Sequence, residues 1–312
     1  MTTSQITPTG APAGTLELTP ELTQKRRGQL RIIVDRFLRN KLAVASLVIL
    51  LIMVILAALA PVLTHTTLQV QPAIDPDPVH AFAPPSAAHL LGTDDIGRDE
   101  FARLLYGAQV SLAVGVFAMM LTIIIGVVLG SIAGYYGGWF DTLLMRVTDA
   151  FLSVPFLLIL FVLSKVFSGG RVVDVVLLIG LFSWPGTARI VRAEFLSYKE
   201  REFLMAARTL GAGNFRLMFR HILPNAAGPI IVSATLLVGG AIITESTLSF
   251  FGFGIQPPTP SWGNMLTDSR EYIFKDPLLL YLPGLAILLV VLCFNLIGDG
   301  LRDALDPYMT ER

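Results

Sequence analysis

Few residues in this chain have types and spacings that could support chemistry. Asp149, Asp174 and Glu245 are carboxylates within or at the ends of otherwise apolar stretches, the setting in which a charge marks an ion, proton or solute path. Glu245 stands out because Ser246, Thr247 and Ser249 follow it. Two readings stay open for it, a pathway-lining group or a carboxylate at the outer water boundary. A proton relay needs more such groups than these. His65, His80 and His89 share one segment, but their spacings are too wide for one helical face, which fits solvated loop histidines better than a metal site. Cys293, the single cysteine, lies in an apolar run. It offers neither an intramolecular disulfide nor a thiolate cluster and reads as a small packing residue. The chain carries no G-x-x-x-x-G-K-[ST] phosphate loop, no H-E-x-x-H pair and no G-x-S-x-G elbow. We therefore expect no catalytic residue, no metal site and no nucleotide cofactor bound by this chain itself.

The elements that position these residues follow from composition. Of 312 residues, 54% are hydrophobic and 15% charged, against about 25% charged in soluble domains. That deficit excludes a disordered or nucleic-acid-binding chain and points to the bilayer. A hydrocarbon core of ~30 Å is crossed by about 20 apolar residues in a helix, which satisfies its own backbone polar groups. Six stretches qualify: Leu42 to Leu63, Gln109 to Gly134, Val147 to Leu163, Val172 to Ala188, Ala226 to Glu245 and Leu278 to Ile297. The third and fourth are short and carry Pro155 and Pro185. Residues 1–41 read as a flexible leader followed by a basic helix, and residues 64–108 as an outer loop. The first stretch is longer than a signal-peptide core and is expected to be retained.

Lysines and arginines near span ends stay on the cytoplasmic side. With the amino terminus inside, the inner connections hold 17 of these residues and the outer connections 6. Both termini are therefore expected in the cytoplasm, with residues 189–224 as the longest inner connection between spans.

Gly126, Gly130, Gly134 and Gly138 recur every four residues, placing them on one helical face where another backbone can approach. The same reasoning extends to Gly239 and Gly240. Tyr135, Tyr136 and Trp139 fit an interfacial aromatic belt, as does Trp262 after the fifth span. In LLGTDDIGRDEF, Gly92 and Gly97 permit tight turns, and Thr93 or Asp94 is placed to cap the following helix. Asp299, Arg302, Asp303 and Asp306 near the carboxyl end are spaced for pairs along a helix.

The inner connection is not a simple linker. Phe203, Leu204, Ala207 and Leu210 recur at helical spacing, Gly211-Ala212-Gly213 interrupts, and Phe215, Leu217, Met218, His221 and Ile222 resume before Pro224. Two short helices meet at a glycine elbow. Apolar faces flanked by arginines call for a cover, either a partner protein or the membrane surface.

This connection resembles the E-A-A-x3-G-x9-I-x-L-P signature of the permease subunits of ABC importers. Met205-Ala206-Ala207, Gly211, His221, Leu223 and Pro224 fall at the matching positions, with Met205 in place of the acid and His221 in place of isoleucine. LLGTDDIGRDEFARLLYGAQVSL, YYGGWFDTLLMRVTDAFLSVPF, LSFFGFGIQPPTPSWGNML and NLIGDGLRDALDP extend the likeness over nearly the whole chain after residue 40, toward the second permease of the dipeptide, oligopeptide and nickel branch. The resemblance implies an all-α membrane protein with six spans in the type I importer permease fold, multi-pass in the bacterial inner (plasma) membrane. It implies a second homologous permease, two ATP-binding subunits and an extracytoplasmic solute-binding protein as partners. The substrate it implies is a dipeptide or oligopeptide, with nickel or another small solute as the alternative. Phe203, Leu204, Met205, Ala206, Ala207, Leu210, Gly211, Phe215, Leu223 and Pro224 would then form the loop that docks on the ATPase. Glu245, Ser249 and Trp262 are candidates for pathway or gate, and Gly126, Gly130 and Gly134 for helix packing. An ion-coupled secondary transporter would need buried coordinating groups and an inverted repeat, and an intramembrane hydrolase would need a nucleophile and base. The sequence displays none of these.

Overall fold

The computed structural model describes residues 29–64, 75–166 and 169–305. The leader up to residue 28, His65 and Asp306 lie outside the described residues. Helices α1 (Gln29–Arg39), α2 (Lys41–Ala58), the single turn α3 (Ala60–Leu63) and α4 (Glu100–Tyr136) come first. Then follow α5 (Gly138–Ser153), α6 (Phe156–Ser164), α7 (Val172–Phe182) and α8 (Trp184–Lys199). The expected elbow is built from α9 (Glu202–Thr209), α10 (Asn214–Arg216), a π-helical turn over Leu217–Ile222, and α11 (Leu223–Asn225). α12 (Ala227–Phe250), α13 (Trp262–Ser269) and α14 (Leu278–Leu305) complete the chain.

Four single helices, α2, α4, α12 and α14, are long and apolar enough to cross a membrane; the pairs α5/α6 and α7/α8 qualify only as bent spans. Their bends of 86° and 41° fall at Val154-Pro155 and Ser183 to Pro185. Proline cannot donate to the helix ladder and pushes the preceding residue out of the helical region. Val154 is accordingly extended, at φ −101° and ψ 136°. The third and fourth apolar stretches are thus broken helices.

Local signals also move the other boundaries. α4 begins at Glu100, nine residues before the expected start of its span, because Asp99 caps it by accepting a hydrogen bond from the Ala102 N–H at 2.7 Å. The expected caps, Thr93 and Asp94, serve the preceding loop instead. Thr93 Oγ1 accepts from Ala83 N–H at 2.8 Å, and Asp94 binds Arg98 and Arg103. At about 1.5 Å per residue α4 is about 55 Å long, well beyond a hydrocarbon core. It ends at Gly137, whose φ of +68° favours glycine.

α4 is the central helix, packed by α2, α7, α8 and α12. Its glycine stripe admits α8. A Cβ on Gly126 would lie 2.6 Å from Thr187, one on Gly130 would lie 2.5 Å from the Ala188 carbonyl, and one on Gly134 would meet Phe195 at 2.7 Å. Gly138 does not share this face; it opens α5 at φ +67° with nothing near it. Gly239 makes only ordinary contact with Val291, and Gly240 faces open space. A Gly130→Leu chain is therefore expected to lose the α4–α8 contact, because the neighbour it meets is backbone that cannot rotate away. Folded yield in mild detergent should fall several-fold, as size-exclusion chromatography would register.

Outward residues of α2, including Leu47, Leu51, Ile52 and Ile55, are exposed. An apolar helix with that surface is matched to hydrocarbon.

Candidate functional site

The 201–225 elbow is fixed to the bundle on one side and bare on the other. α9 ends in a paired hydrogen-bond motif: Gly211 N–H donates to the Arg208 carbonyl at 3.0 Å and Ala212 N–H to the Ala207 carbonyl at 3.1 Å. This closure needs a left-handed residue at its corner, and Gly211 supplies φ +85°. Leu204, Leu217, Met218 and Ile222 are buried against Tyr135, Val191 and Phe195. Leu204 therefore faces the bundle, whereas the sequence groups it with the docking face. Ala207 and Leu223 are half-buried. Phe203, Met205, Ala206 and Pro224 are exposed, with Leu210 at 88% and Phe215 at 74% exposure. Phe215 and Phe219 stack at 4.5 Å between ring centroids and, with Arg216, Arg220 and Pro224, outline a shallow groove.

Tyr135, expected in an aromatic belt, is instead the hub of this joint. It is buried at the end of α4, donates to Asn214 Oδ1 at 2.8 Å, and accepts from Arg208 at 3.2 Å, so it holds both halves of the elbow. Tyr136 and Trp139 remain exposed. Tyr198 at the end of α8 donates to the Asn225 carbonyl at 3.0 Å. α8 is also tied to α5 through Arg189 to Asp149 and through Arg192 to Asp141, the latter at 2.6 Å for Nη2. These bonds tie the elbow to α4 and α8, and α8 in turn to α5.

At the opposite end of the bundle the structure gathers Glu245, Ser249 and Trp262. Glu245 is fully buried, not at a water boundary. Its Oε1 accepts from Ser249 at 2.8 Å and Ser261 at 2.9 Å, and its Oε2 from Ser111 at 3.2 Å and Ser246 at 3.4 Å. Ser111, Ser249 and Ser261 each accept a backbone N–H, from Trp262, Ile255 and Asn264, which directs their protons to the carboxylate. Trp262 is buried as well, its indole N–H donating to the Leu104 carbonyl at 3.1 Å. It lies inside the fold because α13 tucks against α4, α12 and α14. The cluster pins α4, α12 and α13 together. Asp149 and Asp174 have local partners, Arg189 and Arg171.

A second polar joint closes this end. Arg98 donates to Asp94 at 2.5 Å and Asp268 at 3.0 Å, while Arg103 donates to Asp94 at 2.6 Å and Asp268 at 2.8 Å. Both arginines are buried, so the pairs tie the 75–99 loop to α13. Burial and the Asp94 charge push the Asp95 carboxyl above the usual carboxylate range, and the Asp95 charge in turn raises the Tyr272 phenol. His80 and His89 bind Asp77 and Asp99. Among the described residues no group of three His, Cys, Asp or Glu is placed to hold a metal ion.

Between the two ends lies a largely apolar cavity of ≈ 1350 Å³. Both proline breaks border it, through Pro155 and Pro185, and Thr122, Gly240 and Thr244 contribute from α4 and α12. Glu194 and Arg302 give it its charges. Glu245, Ser249 and Trp262 do not line it. Arg302, Asp303 and Asp299 are exposed, and no ion pair among the described residues joins them.

The apolar spans, two of them broken beside a cavity, define a multi-pass helical membrane protein. Residues 126–311 match the family model described as binding-protein-dependent transport system inner membrane component, and residues 28–85 match the N-terminal TM domain of oligopeptide transport permease C. The chain belongs to this family of inner-membrane ABC importer permeases. It is 45% identical to the dipeptide transport system permease protein DppC of Alkalihalophilus pseudofirmus, over 87% of each chain. It is 39% identical to the oligopeptide transport system permease protein OppC of Bacillus subtilis, over 97% of each. The glutathione transport system permease protein GsiD of Pectobacterium atrosepticum is 41% identical, over 87% of this chain and 89% of its own. Among solved structures, the inward-facing MetNI methionine ABC transporter matches with a TM-score of 0.53 at 19% identity, over 65% of this chain and 96% of that one. That match shows the shared fold.

Proposed function

We propose that this chain is the second permease subunit of an ATP-driven importer of dipeptides and oligopeptides, with both termini and the 201–225 elbow in the cytoplasm. It is not an enzyme and binds no cofactor. ATP is held by two separate subunits, one of which grips the elbow, and a homologous permease completes the pathway beside the cavity. An extracytoplasmic solute-binding protein delivers peptide at the end closed by the 75–99 loop. The observation that carries the reading is the division of the elbow: Leu204, Leu217, Met218 and Ile222 lock it to the bundle, while Phe203, Met205, Leu210 and Phe215 are left bare. Exposed apolar residues on a rigid lever suit a motor surface. The relatives named for dipeptide, oligopeptide and glutathione transport support a short peptide as cargo. Nucleotide-driven movement of the elbow would then rock the spans as bodies.

Proteoliposomes test this. Labelled di- and oligopeptide should accumulate only when both permeases, both ATPases, the binding protein and ATP are present. Accumulation by this chain alone would overturn the reading.

A further inference from the structure

We infer that α1 is a membrane-surface anchor that binds anionic phospholipid headgroups. The inference rests on α1 itself and on the membrane-spanning nature of α2, independently of the cargo. By the 3.6-residue repeat, Ile33, Val34, Phe37 and Leu38 form one apolar stripe of α1, with Arg31 and Arg36 bordering it on either side and Arg39 behind. The stripe is divided between two neighbours. Ile33 and Phe37 are half-buried, and Phe37 approaches Gly300 near the end of α14. Val34 and Leu38 remain 53% and 58% exposed.

The placement of α1 identifies what covers those two residues. Asn40, at φ −79° and ψ 96°, is the only residue between α1 and α2, and it caps α2 by accepting from the Ala43 N–H at 3.2 Å. α2 is apolar from Leu42 onward, so Leu38 lies four residues from the first hydrocarbon-facing residue. α1 also packs on α14 at that same level. A helix so placed, with bare apolar residues on one face and cations at its borders, matches the boundary between headgroups and acyl chains. The charge sign selects the lipid. From Lys25 to Lys41 the sequence holds seven basic residues and one acidic residue, Asp35, and juxtamembrane cations of this kind are drawn to anionic headgroups.

The test uses the full chain, in its assembled transporter, in nanodiscs of phosphatidylcholine with or without phosphatidylglycerol. Spin labels are placed by Val34→Cys, Leu38→Cys or Arg39→Cys in a Cys293→Ser background. In phosphatidylglycerol-containing discs, labels at 34 and 38 should be reached by oxygen and shielded from a water-soluble nickel chelate, while the label at 39 is reached by the chelate. Removing phosphatidylglycerol, or combining Arg31→Gln with Arg39→Gln, should raise chelate access at 34 and 38 at least threefold. Chelate access at 34 and 38 in every disc would place the helix in water and overturn the inference. Labels shielded from both reagents would place a protein partner on the stripe and overturn it too. Oxygen access that ignores phosphatidylglycerol would overturn the assignment to anionic lipid.

Discussion

A Gly211→Val chain is expected to insert and assemble normally yet import peptide at a tenth of the unaltered rate or less, with ATP hydrolysis no longer tied to uptake. Gly211 sits at φ +85° with nothing within 4 Å of where a Cβ would be. The damage is therefore conformational and confined to the corner. A left-handed conformation costs an L-residue roughly 1–2 kcal/mol, more with a β-branched side chain, and each 1.4 kcal/mol is about a tenfold change in population. Loss of the bonds to Ala207 and Arg208 would redirect Leu210 and Phe215, while the packing of Leu204 and Leu217 against Tyr135 stays. Gly211→Asn is the matched control, since asparagine tolerates the left-handed region, and it should retain most uptake. Paired uptake and ATPase assays on the reconstituted complex measure both. Unimpaired uptake by the valine variant would show that the corner's geometry does not transmit movement.

The largest stability effect is expected from Glu245→Leu. The hydroxyls of Ser111, Ser249 and Ser261 would lose their common acceptor inside the fold. Each buried donor left unpaired costs about 1–3 kcal/mol, so the three together amount to several kcal/mol. A melting temperature lower by on the order of 10 °C follows. Glu245→Gln keeps a carbonyl oxygen for Ser249 and Ser261 and should lose less than half as much. Thermal unfolding in detergent, followed by tryptophan fluorescence, reads this through Trp262 at the edge of the cluster. A pathway carboxylate would behave in the opposite way, with altered transport in the glutamine variant and an unchanged melting temperature in the leucine one.

Much of the architecture was legible in the residues because hydrocarbon imposes a length and a composition on each crossing. The glycine stripe was legible in part: Gly126, Gly130 and Gly134 admit α8, whereas Gly138, Gly239 and Gly240 admit no such close neighbour. What escaped depends on contacts between distant parts of the chain. Trp262 fits an interfacial belt by residue type and by its place after the fifth span, and only the folding of α13 against α4, α12 and α14 buries it. Tyr135 looked like a belt residue because Arg208 and Asn214, its partners, lie more than seventy residues away. The Asp94, Arg98, Arg103 and Asp268 joint is hidden for the same reason. One local signal does carry part of this site: Ser261 and Asn264 form a capping box that marks the start of α13.

The central claim is that the exposed side of the elbow is gripped by a separate ATP-hydrolysing subunit. Cysteines introduced by Leu210→Cys and Phe215→Cys, in a chain lacking Cys293, would be crosslinked in membranes containing the whole transporter. Efficient crosslinks to the ATPase subunit from both positions, changing in yield between ATP-bound and nucleotide-free states, are the predicted result. Crosslinks that form only to lipid or to the other permease, in every nucleotide state, would contradict it.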